Sequence, residues 1–68
     1  MTGNDMKSIR QGVGLSLGQL AALVRYKNTD QLRKMESGKV DVAGPVSLIL
    51  ELVRDGRLDD HVEDARNN

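Results

Sequence analysis

The chain contains no cysteine, so disulfides and thiolate metal sites are excluded. It has a single histidine, His61, with no second His or Cys to complete a ligand set, which argues against a transition-metal site; no metal and no cofactor are expected. It has no apolar run approaching the ~18–20 residues of a membrane span, and residues 1–8 (MTGNDMKS) lack a signal-peptide core, so the expected location is cytoplasmic. There is no Ser/His/Asp or Cys/His set, no phosphate loop and no carboxylate pair placed to converge in a pocket, which makes an enzyme the weakest of the function classes. Internal repeats and low-complexity segments are absent as well. A chain of 68 residues is expected to form one domain with a small core, and self-association is the support left to it.

The net charge is zero, yet the charges are not evenly spread. Residues 1–40 carry seven Lys and Arg against three Asp and Glu, a net +4, whereas residues 41–68 carry three against seven, a net −4. A basic half can meet a polyanion while the acidic half faces away from it.

Apolar spacing and helix punctuation predict an all-α chain of four to five helices. Met6, Ile9 and Val13 make one stripe on a first helix over about 4–13, and Gly14 is placed to end it. Ser16 and Gln19 have capping-box spacing at the start of a second helix from Leu17 to about Val24, with Leu15 and Leu20 as its hydrophobic staple. Its inward face is Leu17, Leu20, Ala21 and Val24, and the small Ala21 allows the next helix to pass close by. Asn28 and Gln31 repeat the capping-box spacing after a turn at 25–27, so a third helix is predicted over 29–36, burying Leu32 and Met35 and closed by Gly38. Two helices joined so closely cross steeply, as in a helix-turn-helix. Residues 39–44 read as a loop, and Pro45 falls in the first turn of a fourth helix that ends near Asp55 and Gly56. That helix carries Val46, Leu48, Ile49, Leu50, Leu52 and Val53, more apolar surface than one small core consumes. Leu58, Val62 and Ala65 support either a short fifth helix or a frayed tail over 57–68.

The segments IRQGVGLSLGQLA and LRKMESG resemble the Cro/phage-repressor class of helix-turn-helix proteins, the lambda-repressor-like or XRE family, over roughly residues 6–55. The spacings that carry the resemblance are those of Arg10, Gly14, Leu15, Ser16, Leu20, Ala21, Leu32, Glu36 and Gly38. The resemblance implies a compact lambda-repressor-like domain over residues 1–56, a structural ion pair between Arg10 and Glu36, and a third helix that lies in the DNA major groove. Two positions depart from the family pattern. Leu17 stands where a phosphate-gripping glutamine is common, leaving only backbone N–H groups there, and Arg25 stands where a turn glycine is common, in a turn with one extra residue that could relax it.

On the third helix the inward Leu32, Met35 and Glu36 leave Thr29, Asp30, Arg33 and Lys34 on the outward arc, with Asn28 at its entrance. The resemblance makes these five the groove-facing positions and so the candidate base contacts, and Arg33 is the leading reader because a guanidinium pairs bidentately with guanine. The competing reading is an ordinary solvated helix face. Arg25, Lys27, Ser37 and Lys39 flank the helix as candidate phosphate contacts or plain solvated residues. Tyr26, the only aromatic residue, either bonds a phosphate or covers the turn, and His61 reads as a surface residue. Leu48 and Leu52, with Leu58 and Val62 added, are the candidate dimer interface.

The functional expectation is a homodimeric autoregulator, most simply a repressor, on an inverted repeat of double-stranded DNA. Such solo domains occur as phage or mobile-element repressors, antitoxins and anti-CRISPR-associated regulators. The alternative is a protein-binding module, such as a toxin-neutralising antitoxin, that docks its partner on the fourth helix.

Overall fold

A computed structural model describes residues 1–67, and among them the secondary structure is five helices and no strand: α1 Gly3–Gly12, α2 Leu17–Leu23, α3 Asp30–Glu36, α4 Gly44–Arg54 and α5 Asp59–Arg66. The closest packing runs α4 to α1, α1 to α3, α3 to α2 and α2 to α5. Every helix thus buries a stripe against one or two neighbours. Met6, Leu20, Leu32, Leu50 and Val46 are the most completely buried side chains, and one aliphatic core joins all five helices.

The start of α1 has a capping box that the predicted start at residue 4 overlooks. The Asp5 N–H donates to Thr2 Oγ1 and the Thr2 N–H donates to Asp5 Oδ2, both at 3.1 Å. The Thr2 backbone N–H, aided by the Thr2 side chain, holds the Asp5 carboxyl below its ordinary range. The predicted box on α2 forms as expected, with the Ser16 N–H donating to Gln19 Oε1 at 2.9 Å and the Gln19 N–H to Ser16 Oγ at 3.1 Å.

The predicted box on α3 does not form. The helix begins one residue later, with Thr29 as an N-cap that makes no side-chain cap bond, and Asn28 Oδ1 instead accepts the Asp30 N–H at 3.0 Å. A box on Asn28 would need Gln31 in the third helical position, but the turn delivers Gln31 to the second, where its side chain is exposed.

Helices α1 to α4 end alike, on a left-handed residue whose neighbour's N–H reaches back to a carbonyl five residues earlier. The Leu15 N–H donates to the Arg10 carbonyl at 3.0 Å, the Tyr26 N–H to Ala21 at 2.8 Å, the Lys39 N–H to Lys34 at 2.9 Å and the Arg57 N–H to Leu52 at 2.9 Å. The left-handed residue is Gly14 (φ 75°), Gly38 (φ 82°) and Gly56 (φ 75°) at three of these exits, but Arg25 (φ 66°) at the exit of α2. The extra residue in that turn has therefore not relaxed it. The backbone still adopts the conformation for which glycine is the ordinary choice.

Of the two readings of the C-terminal segment, the short fifth helix is the one that forms, and Val62 and Ala65 of α5, each 5 % exposed, pack in the same core as α1 to α4. The end of α5 also clasps the junction of α1 and α2: Gln19 Nε2 donates to the Arg66 carbonyl at 3.1 Å and Arg66 Nη1 donates to the Val13 carbonyl at 3.5 Å. Asn68 lies outside the described residues. No helix among the described residues is long and apolar enough to cross a membrane.

Candidate nucleic-acid interface

Two turns of α3 are held from one side and open on the other. Leu32 and Met35 lie in the core, whereas Asp30, Gln31, Arg33 and Lys34 are exposed and Thr29 is half-buried at the start. At seven residues the helix is too short to hold together on propensity alone, so tertiary contacts must fix it.

The principal polar contact is the Arg10–Glu36 pair. Arg10 Nε donates to Glu36 Oε2 at 2.7 Å and Nη2 to Oε1 at 3.2 Å, a two-pronged geometry, while Nη1 donates to the Leu15 carbonyl at 2.9 Å. The side chains are 11 % and 9 % exposed. One guanidinium thus ties α1, the loop before α2 and the last turn of α3 together. Beside it, Gly3 lets the first turn of α1 lie on the end of α3, for a Cβ at Gly3 would stand 2.6 Å from the Glu36 carbonyl oxygen and closer still to that of Met35.

The flank of α3 toward α1 and α2 opens into a groove of about 400 Å³ lined by Lys7, Arg10, Leu17, Arg33, Glu36 and Ser37. Since Arg10 and Glu36 neutralise each other, the free charges on it are the exposed cations Lys7 and Arg33. Lys7 was not among the residues singled out from the sequence. The signal for it was there: Lys7 lies one turn before Arg10 on α1 and so shares the face that meets α3.

The remaining candidates are placed unequally. Lys27 precedes α3 and Lys39 follows it, both exposed. Asn28 has its side-chain carbonyl committed to Asp30, which leaves its NH₂ group as the donor for an outside partner. The Ser37 hydroxyl donates to the Lys34 carbonyl at 3.1 Å, so its only side-chain proton is engaged within the helix and is not offered to a phosphate. Arg25 does not join α3; it lines a recess of about 120 Å³ with His61 and Asp64 of α5. Tyr26 packs against the core and covers the turn.

Comparison with family models, curated proteins and solved structures finds no match.

The apolar surplus of α4 is smaller than its composition implies. Val46, Leu50 and Val53 are buried and Ile49 packs against the core, so Leu48, 58 % exposed, and the half-buried Leu52 one turn on remain. Val62 is spent inside the domain and leaves no face for a second chain, and Leu58 packs against the same core. Of the four predicted interface residues, Val62 is buried, Leu52 and Leu58 are half-buried, and Leu48 presents the largest outward surface.

Proposed function

We propose that the chain is a sequence-specific DNA-binding transcription regulator, a homodimeric repressor of the lambda-repressor-like kind that sets α3 into the major groove of an inverted-repeat operator in the cytoplasm. The observation that carries the reading is the exposed polar arc of α3, with Asp30, Arg33 and Lys34 outward and Leu32 and Met35 anchored beneath it. A short helix held along one side and free along the other is what groove insertion requires. Lys34 and the Asn28 NH₂ offer donors to base edges, Asp30 an acceptor for cytosine N4, and Thr29 stands at the entrance. Arg33 stands at the edge of the arc, within a guanidinium's reach of either a base or a phosphate. Lys27 and Lys39 at the two ends of α3 supply cations for the backbone, and the basic charge of residues 1–40 adds to the attraction. The test is selection from randomised duplexes followed by footprinting. The expected site is an inverted repeat with half-sites about one helical turn, roughly 10 bp, apart. Protection of a single asymmetric site, or binding indifferent to five added base pairs between half-sites, rejects the dimeric model.

The exposed Leu48 favours a second reading, in which α4 docks a different protein. Light scattering separates the two. A dimer at micromolar concentration that Leu48→Glu dissociates supports the homodimer, whereas a monomer that binds a palindrome without cooperativity leaves α4 free for another partner.

A further inference from the structure

We propose that Lys7 and Arg33 together clamp one phosphate rim of the DNA groove, so that Arg33 positions the protein instead of reading a base, a role that rests on the DNA-binding reading of α3. The two cations come from different helices, yet they line one groove together with Leu17, and the other charged pair on it, Arg10 with Glu36, is internally neutralised. What remains is a shallow, open strip with two free positive charges and one aliphatic side chain, Leu17, matched to a phosphate rim and its sugars.

Where Arg33 sits on α3 decides between base and backbone. It shares a face with Glu36 and Ser37, three and four residues on, and that face borders the groove toward α1 and α2. Asp30 and Lys34 are absent from this lining. The major groove is about 12 Å wide and an α-helix with its side chains measures about 10–12 Å across, so a helix that fills the groove has its flanks against the two phosphate rims and its outermost arc toward the base edges. The flank that also carries α1 and the start of α2 is the one a rim must pass. Leu17 there supplies no hydrogen-bonding side chain, and the Ser37 proton is engaged, so Lys7 and Arg33 are left as the side-chain donors free to hold the backbone.

Lys7→Gln, Arg33→Gln and the double variant test this, with Arg57→Gln at the turn between α4 and α5 as a control cation; all three residues are exposed, and thermal melts check that each variant folds like the parent. Two readouts are taken: the slope of log affinity against log salt on one fixed duplex, and the motif enriched from randomised duplexes. The expected result for a dimer on an inverted repeat, which loses one contact per protomer, is a slope shallower by about 1.8 for each single variant and about 3.6 for the double, an unchanged slope for the control, and the same enriched motif throughout. An Arg33→Gln motif that loses preference at a base pair, whatever its slope, overturns the clamp and makes Arg33 a reader. Slopes that match the Arg57→Gln control overturn it as well, while leaving the DNA-binding reading intact. If the parent chain retains no duplex at low salt, that reading falls and takes the clamp with it.

Discussion

The junctions on either side of α2 are built from the same parts and meet different standards. Between α1 and α2, the left-handed exit residue is Gly14, the buried Leu15 follows it, and α2 starts on a complete Ser16–Gln19 box. Between α2 and α3, the exit residue is Arg25, the half-buried Tyr26 follows it, and α3 starts with one Asn28 bond and no N-cap side chain. The first junction is specified locally, residue by residue. The second carries a conformation that costs a non-glycine residue roughly 1–2 kcal/mol, and it persists because the packing of α3 on α1 and α2 over-determines it. A loosely specified start on the helix with the exposed arc leaves that helix's placement to long-range contacts, above all to Arg10 and Glu36.

The largest break in the comparison is expected from Glu36→Ala. It strands a guanidinium that is 11 % exposed and should cost about 3–5 kcal/mol in a urea melt, because the uncompensated charge is left where water solvates it poorly. A loss under 1 kcal/mol means that the pair is a surface ornament and that α3 is held by its apolar contacts alone. Next, Gly14→Ala should destabilise by roughly 1–2 kcal/mol, since an L side chain is forced into the left-handed region.

Ser16→Ala removes half of a reciprocal cap and should cost about 1 kcal/mol, while Asn28→Ala at the weaker start should cost about half as much. Equal losses at the two sites contradict the claim that α2 is locally specified and α3 is not. Arg25→Gly should move in the opposite direction from Gly14→Ala and stabilise the fold by about 0.5–1 kcal/mol, the relief of strain being partly offset by the extra freedom of glycine in the unfolded chain. A destabilised Arg25→Gly shows that the arginine side chain makes a favourable contact in its recess beside Asp64.

The smallest effect is one of pH at the start of α1. Because Asp5 is more acidic folded than unfolded, its cap is fully present above the ordinary value of 3.8 and weakens as pH falls below it, through the lower folded-state pKa. Amide exchange at Asp5 and Met6, whose N–H groups bond Thr2, should therefore speed up relative to the intrinsic rate in that acidic window and return to its plateau above it.

Met6, Leu20, Ala21, Val24, Leu32 and Met35 were legible in the sequence as inward positions because their spacing follows the 3.6-residue period, and Gly14, Gly38 and Gly56 were legible as stops because a left-handed exit favours glycine; on α4 the apolar residues were legible only as a set, without their division into buried Val46, Leu50 and Val53 and exposed Leu48. The Ser16–Gln19 box was legible for the same kind of reason: both partners lie within one turn. The Asn28–Gln31 pair shows the limit of such local rules. Its spacing satisfied the rule, but the path of the chain through Arg25 and Tyr26 moved the helix start by one residue, and spacing alone carries no information about that path.

What the chain determined by itself is its division into helices, the buried faces of the first three and the stops of the first four, all of which depend on residues within about one turn of each other. The tertiary structure alone decided that Val62 belongs to the core, that Lys7 shares a groove with Arg33, that Arg25 turns toward α5 while α3 presents its own arc, and that Leu48 is the most exposed apolar residue on α4. Each of those outcomes joins residues many positions apart. Which surfaces meet is settled by how five amphipathic stripes fill one small core together, a competition among distant residues that periodicity along a single helix does not encode.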